Sequence, residues 1–321
     1  MRADSETSPP PIDEVCASCG KAAVDEIKLK KCACDLVKYC SVGCQKNHRP
    51  QHKKACKKQL AVIRENKLFT QPDGTHLGEC PICCLPLPLD GDKSMLSSCC
   101  CKFICSGCDF ANKKREITQG LEQKCAYCRE LLSKTGREMR QNELKRAKAN
   151  DPVALCQVGA RCGEEEDHEG AFKYFTKAAG LGNMDAHYNL ALMYHKGEGV
   201  EKDKKKELFH LEEAAIGGHP EARFKIGLND CQNVRHDRAA KHFIIAANLG
   251  NDDALEKLKK YFAFGGQIRQ YVSKEDYESA LRGYQAAVDS TKSAQREEAY
   301  AFALEHAHLF AQQREHELNT L

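Results

Sequence analysis

The stretch Phe175-Thr176-Lys177-Ala178-Ala179-Gly180-Leu181-Gly182 decides the fold, because its pattern returns twice further along the chain. The pairs Ala178-Ala179, Ala214-Ala215 and Ala246-Ala247 recur at intervals of 36 and 32 residues, and Phe175, Leu211 and Phe243 keep their place three residues before them. Gly182, Gly218 and Gly250 keep theirs after them; upstream, Ala154, Ala186, Ala222 and Ala254 recur at 32, 36 and 32. Periods in this range mark stacked helix pairs. Alanine lets two helices approach closely and the large residue fills the gap between them. Each glycine closes a second helix in the left-handed conformation that residues with a Cβ avoid.

Working outward, a divergent unit is expected over residues 254–288, with Ser273-x-x-Asp276 as a capping box. A terminal capping helix is expected within 291–321. On the other side, Asn150-Asp151-Pro152 marks a boundary and a fresh helix start. The array should therefore span 151–290, preceded by a charged helical linker over 130–150. Cys156, Cys162 and Cys231 read as buried thiols within it.

Upstream of the array the chemistry changes. Seventeen of the 20 cysteines fall between Cys16 and Cys128, mostly in close pairs. Pairs at such spacing bend the backbone into a knuckle around a tetrahedral ion, most often zinc. The first set is Cys16-x2-Cys19, Cys32-x-Cys34, Cys40-x3-Cys44 and His52-x3-Cys56, eight ligands for two sites. His52 and Cys56 are four apart and share a helix face, which ranks His52 above His48. The second set is Cys80-x2-Cys83, Cys99-Cys100-Cys101, Cys105-x2-Cys108 and Cys125-x2-Cys128. A disordered leader is expected over 1–14. A basic linker is expected over 57–79, helical through 60–69 and ending in the turn Gln71-Pro72-Asp73-Gly74. All ligands come from the protein, so the sites are closed and structural rather than catalytic. The chain carries no glycine-rich phosphate loop, no nucleophile elbow and no His-Glu-x-x-His, and no catalytic residue is expected.

The totals are consistent with this. Of 321 residues 30% are charged, the net charge is +3, and there is no tryptophan. No apolar run is long enough for a transmembrane helix, and the N-terminal residues lack the apolar core of a signal peptide. A reducing compartment, cytoplasm or nucleus, is expected, where clustered cysteines hold metal rather than form disulfides. Residues 28–67 carry twelve Lys and Arg against only Asp35 and Glu65. Such a patch could attract nucleic acid. Four-thiolate sites are themselves negative, and offsetting them is the stronger reason for the lysines. Nucleic acid is therefore not the expected partner.

Lys38-Tyr39-Cys40-Ser41-Val42-Gly43-Cys44-Gln45, followed by His52-Lys53-Lys54-Ala55-Cys56, resembles a MYND finger, here over 15–56. The resemblance implies interleaved sites, Cys16, Cys19, Cys40 and Cys44 holding one zinc and Cys32, Cys34, His52 and Cys56 the other. It also implies binding of short peptides, often containing proline. Cys32-x-Cys34 is one residue short of the usual knuckle, which predicts a distorted second site, and Arg49 stands where many members carry Trp. Residues 80–129 resemble an all-cysteine RING finger. On that template Cys80, Cys83, Cys105 and Cys108 hold one zinc. Cys125 and Cys128 hold the other with Cys99 and Cys100. Lys102 occupies the usual histidine position and is a poor ligand while protonated, so a neighbouring cysteine substitutes. Cys101 could replace either chosen member, and Cys84 is supernumerary.

The RING resemblance implies docking of a ubiquitin-conjugating enzyme, with Ile82 as an apolar contact and Arg129 as a bridge to ubiquitin. Such a ligase has no nucleophile and acts by positioning. Ala126 stands where many members have Pro. Gly197-Glu198-Gly199-Val200 and Asp203, with Lys177-Ala178-Ala179, resemble Sel1 repeats, relatives of tetratricopeptide repeats, which implies a concave protein-binding surface. Nearly the whole chain is thus similar to MYND–RING–Sel1 proteins. The expected class is mainly α: two small N-terminal zinc-stabilised modules, with four structural Zn2+ ions, followed by an α/α Sel1/TPR-like solenoid. Two functions follow, a ubiquitin-ligase-like protein with its substrate held by the solenoid and the MYND finger, or a non-catalytic zinc adaptor.

Overall fold

The computed structural model describes residues 15–21, 23, 28–264 and 271–306. The expected leader over 1–14 and the last part of the expected tail helix lie outside them. The chain divides into two compact units, Met1–Thr70 and Gln71–Leu321.

In the first unit β1 (Lys30–Lys31) pairs antiparallel with β2 (Lys38–Tyr39), and Cys16 bridges to Lys38 beside them. Helix α1 (Val42–Phe69) starts at Ser41, whose hydroxyl accepts the Cys44 N–H at 3.1 Å. The short helix that carries His52 and Cys56 and the helix expected over 60–69 are one element of 28 residues. Pro50 lies inside it and offers no N–H to the turn before. Only His52 and Leu68 of this helix are buried. The centre of the unit is Cys16, Cys32, Cys34 and Tyr39. So small a core cannot offset the entropy of ordering the chain, and bound metal must supply the difference.

The second unit opens with a small module. A hairpin of β3 (Ser94–Ser97) and β4 (Lys102–Cys105) pairs Ser94 with Cys105 and Ser97 with Lys102. Helix α2 (Ser106–Thr118) follows at once. Leu87 and Ile104 are the apolar centre, surrounded by cysteines.

Helices then run α3 (Gly136–Lys148), α4 (Pro152–Glu164), α5 (His168–Gly180), α6 (Met184–Lys196), α7 (Lys204–Ile216), α8 (Pro220–Gln232), α9 (His236–Asn248), α10 (Asp252–Phe264) and α11 (Lys274–Ser290). From α4 to α9 they pack as successive pairs, α4 with α5, α6 with α7 and α8 with α9; α10 and α11 both lie against α9. Asp151, Asp167, Asn183, Asp203 and His219 each cap a helix by accepting a backbone N–H. Each such cap contributes about 1 kcal/mol. The Ser273–Asp276 capping box forms at α11. Gly182, Gly218 and Gly250 leave the second helices at φ +85°, +85° and +88°, as the repeat spacing requires.

Packing inside the pairs follows a size rule. A Cβ on Gly159 would lie 2.9 Å from the Phe175 ring, and one on Gly227 would lie 2.6 Å from the Phe243 ring. At the corresponding positions of the middle pair stand Ala191 and Leu211, both buried. Where the filler is a phenyl ring the facing helix carries glycine; where it is leucine the helix keeps its methyl group.

The helix expected to cap the array is α12 (Ala294–Glu305), and its packing partner is α2. Phe302 meets Phe110 at 5.0 Å between ring centroids, and Lys114 pairs with Glu298 at 2.6 Å. Gly107 allows the contact, since a Cβ there would lie 2.9 Å from the Arg296 nitrogen. Charge and aromatic complementarity with α2 thus place this helix on the small module. Among the described residues no helix is long and apolar enough to cross a membrane.

The size rule is testable by a double-mutant cycle. Gly227→Ala drives a methyl group into the Phe243 ring, and overpacking costs about 1–3 kcal/mol against a helix-propensity gain of about 1 kcal/mol. Phe243→Leu alone leaves a void. The double variant recreates the Ala191–Leu211 combination and is expected to be more stable than the two single losses sum to in urea unfolding. Strictly additive losses would contradict the rule.

Candidate metal centres

Four knuckles share one backbone design. The first cysteine of each donates its N–H to a carbonyl five residues on: Cys16 to Lys21 at 2.8 Å, Cys32 to Val37 at 2.8 Å, Cys80 to Leu85 at 2.9 Å and Cys125 to Glu130 at 2.7 Å. The residue after the second cysteine returns its N–H to the first cysteine's carbonyl, from Gly20, Asp35, Cys84 and Arg129 at 2.8, 2.9, 2.9 and 3.0 Å. All four of these residues are left-handed, with φ between +55° and +73°. This defines the role of Cys84: it occupies the left-handed corner, exposed, while Cys80 and Cys83 point inward. It also answers the expected distortion at Cys32-x-Cys34. Asp35 makes the left-handed turn one residue earlier, and Asp tolerates it better than most residues. The second site stays as compact as the others.

Four donor sets result: Cys16, Cys19, Cys40 and Cys44; Cys32, Cys34, His52 and Cys56; Cys80, Cys83, Cys105 and Cys108; and Cys99, Cys100, Cys125 and Cys128. Within each set every donor atom lies within 4.8 Å of the others. Zinc–sulfur bonds of about 2.3 Å would make a tetrahedron with edges of about 3.8 Å. The sulfur separations approach that value: Cys19–Cys40 and Cys40–Cys44 at 3.6 Å, Cys32–Cys56 and Cys83–Cys105 at 3.8 Å, Cys100–Cys125 at 3.9 Å and Cys99–Cys128 at 3.3 Å. In the second set His52 Nε2 stands 3.0 Å from Cys34 Sγ. The thiols are free, and the donor chemistry and spacing fit zinc.

Each set contains a thiol that the backbone has made acidic. Burial opposes ionisation of Cys16, yet N–H groups of Cys40, Cys19 and Ser18 outweigh it and bring the thiol down to about 6. Burial likewise opposes Cys83 and Cys125; the Leu85 N–H with Arg296, and the Ser97 hydroxyl with backbone N–H groups, bring them to about 7. Cys32 is lowered in the same manner. Their neighbours move the other way. Hydrogen bonding with Cys44 and Cys19 pushes Cys40 up to about 12, and burial pushes Cys100 to about 12 and Cys56 to about 11.

Cys101 leaves the group. Its left-handed backbone (φ +52°) turns it out of the hairpin loop and into the apolar core of α3, α4 and α5, among Ala147, Ala154 and Leu155. Burial raises its thiol to about 11, so it stays protonated at neutral pH. His48 also lies outside the sets, with Nδ1 3.0 Å from the Tyr39 hydroxyl. Lys102 is exposed. Ile82, in the third knuckle, is 41% exposed. Arg129 is committed within the module, donating to Asn112 Oδ1 and to the buried Glu116 carboxylate, both at 2.7 Å. A fifth cluster, His76, Asp185 and His219, was not indicated by sequence spacing.

Comparison with known proteins agrees with the two ends of the chain. A family model for the MYND finger matches residues 16–56, and one for the Sel1 repeat matches 152–183, 185–219 and 232–251. A Helicobacter pylori strain J99 protein named "Putative beta-lactamase HcpC" is 43% identical over 56 residues, 17% of this chain and 19% of that protein. Its counterpart in strain 26695 is 43% identical over 52 residues, 16% and 18%. The chain spans about a fifth of the length of these curated relatives. Among solved structures, a Sel1 repeat protein from Oxalobacter formigenes is 25% identical with a TM-score of 0.42, covering 58% of this chain and 72% of that one. The Escherichia coli protective antigen c5321 is 21% identical with a TM-score of 0.38, covering 54% and 37%. The chain carries a MYND finger and Sel1 repeats. It is a zinc-binding protein with a repeat array of the kind used for protein interaction.

Metal analysis of single variants separates ligands from bystanders. Cys99→Ser and Cys100→Ser should each lose one equivalent of tightly held zinc relative to the native chain. Cys101→Ser and Cys84→Gly should lose none, and Cys84→Gly should gain about 1 kcal/mol of stability from relief of its left-handed backbone. A lost equivalent in Cys101→Ser would reverse the assignment.

Proposed function

We propose that the chain is a ubiquitin-ligase-like scaffold. Its second module docks a ubiquitin-conjugating enzyme, and the repeats and the MYND finger hold the protein to be modified. The observation that carries this reading is the crossing of donor sets in residues 80–128. Cys80 and Cys83 join Cys105 and Cys108, whereas Cys99 and Cys100 join Cys125 and Cys128 across them. With a hairpin and α2 between the pairs, this supports the RING resemblance. Four structural zinc ions occupy the four cysteine-rich sets in this reading, with the sixteen residues of those sets as ligands.

All four sets are complete with protein donors, so none leaves a position for substrate. Any contribution to catalysis comes from orienting a recruited enzyme. Ile82, exposed on the first loop of the module, is the residue best placed to meet that enzyme. Free thiols throughout fit a reducing compartment, cytoplasm or nucleus. A second reading, a non-catalytic adaptor, is favoured by Arg129. Its guanidinium is paired with Glu116 and Asn112 rather than left free to reach ubiquitin.

Reconstituted autoubiquitination with a panel of conjugating enzymes separates the two. The ligase reading expects activity with at least one enzyme. Ile82→Ala should lower that activity about tenfold or more, as truncating a central contact does, with zinc content unchanged. Arg129→Ala should lower it further if the ion pair opens on docking. Activity absent with every enzyme, or indifferent to both substitutions, leaves the adaptor.

A further inference from the structure

One face of α1 carries a stripe that the zinc sites do not use. Val42, Lys46, Arg49, Lys53, Lys57 and Leu60 follow one another at steps of three or four residues, so they line a single side of the helix. At a rise of about 1.5 Å per residue the stripe runs for about 27 Å. It borders a groove of about 540 Å³ whose facing wall is the second knuckle, at Cys32 and Ala33. Both apolar ends of the stripe lie open, Val42 at 62% exposure and Leu60 at 39%. The four cations between them are exposed as well.

The charge along this groove is not balanced. The one acid of α1 is Glu65, which lies beyond Leu60. Asp35 is taken by Lys31 at 2.8 Å, and among the described residues no carboxylate meets Lys46, Arg49, Lys53 or Lys57. Three thiolates, a neutral imidazole and a divalent ion in the set of Cys32, Cys34, His52 and Cys56 would leave about one negative charge. That offsets one of the four cations and leaves the others. Like charges three and four residues apart on a helix repel each other. An anionic partner removes that cost, and nothing else in the module does.

We propose that this groove binds a short acidic peptide with apolar residues at its two ends. The inference rests on the reading in which the MYND finger holds the protein to be modified, and it names the chemistry of the segment held. Carboxylates of the peptide meet the four cations, and Val42 and Leu60 cover its apolar side chains. An extended chain crosses about 27 Å in about eight residues, so one short segment engages both ends. Arg49 stands inside the stripe, where its guanidinium can take a carboxylate with two parallel N–H donors, which a lysine cannot. A neutral proline-containing segment would leave the cations unanswered.

The same features argue against a nucleic acid. Phosphates would satisfy the cations but would leave Val42 and Leu60 facing water. Bases would also find no ring to stack on. Tyr39 at this groove is 3% exposed, with its hydroxyl 3.0 Å from His48, and His52 belongs to a donor set.

The test is fluorescence anisotropy on the full chain with its cysteine sites filled with zinc. The probe is a labelled ten-residue peptide with leucines eight positions apart and four Asp or Glu residues between them. One control replaces the acids with Asn and Gln, and another replaces the leucines with Ser. The acidic peptide should bind at least tenfold tighter than the amide control and about tenfold tighter than the serine control. Its affinity should fall as salt is raised. Arg49→Glu combined with Lys53→Glu should lower it at least tenfold with zinc content unchanged, and Arg49→Gln combined with Lys53→Gln should lower it less, in the same direction. Equal binding of the acidic and amide peptides to the native chain overturns the proposal without recourse to any variant. A single-stranded oligothymidylate that binds tighter than the acidic peptide, and is indifferent to Val42→Ser, overturns it in favour of a nucleic-acid surface. These titrations need no conjugating enzyme. Peptide binding without autoubiquitination would leave this inference standing and refute the ligase reading alone. Autoubiquitination without a preference for the acidic peptide would refute this inference alone.

Discussion

Thiols held within 4.8 Å of one another cannot all ionise unless a cation lies between them. The rest of the N-terminal architecture depends on that constraint. Each set holds a thiol lowered by backbone N–H groups, such as Cys16 at about 6 or Cys83 at about 7, beside others that are raised, such as Cys56 to about 11 and Cys40 to about 12. The backbone favours a thiolate in each site, while burial of Cys56 and Cys100 and the hydrogen bonds of Cys40 with its neighbouring thiols hold those groups protonated. A divalent ion removes the conflict and releases the remaining protons, so binding and folding become one event. The small apolar centres agree with this: Cys16, Cys32, Cys34 and Tyr39 in one module, and Leu87 and Ile104 among cysteines in the other.

The second module is braced by residues far away in sequence. Arg296 on α12 donates to the Pro86 carbonyl at 2.7 Å, to the Leu85 carbonyl at 3.2 Å and to Cys83 Sγ at 3.4 Å. It therefore stabilises both the backbone of a knuckle and the charge on one of its sulfurs. On the other side Cys101 enters the core of α3 to α5. A loop that bears Ile82 is thus fixed at its base by a guanidinium while its tip stays exposed. Rigid support beneath an exposed apolar residue is what a docking surface requires, whichever partner it meets.

Legibility in the sequence followed physical locality. The repeat was readable because small and large residues recur at helix-pair intervals, and Gly182, Gly218 and Gly250 mark conformations that glycine alone adopts easily. The cysteine pairs were readable because a knuckle needs its ligands close in sequence. Cys84, Cys101 and Arg129 were not readable in the same way. Each occupies a left-handed position without being glycine, which no local preference of Cys or Arg announces. Arg296 and His76 were invisible for a different reason. Their partners are 213 and 109 residues away, and no periodicity connects them. The size rule linking Gly159 to Phe175 and Gly227 to Phe243 was half visible: the fillers were found, but the glycines that admit the rings were not.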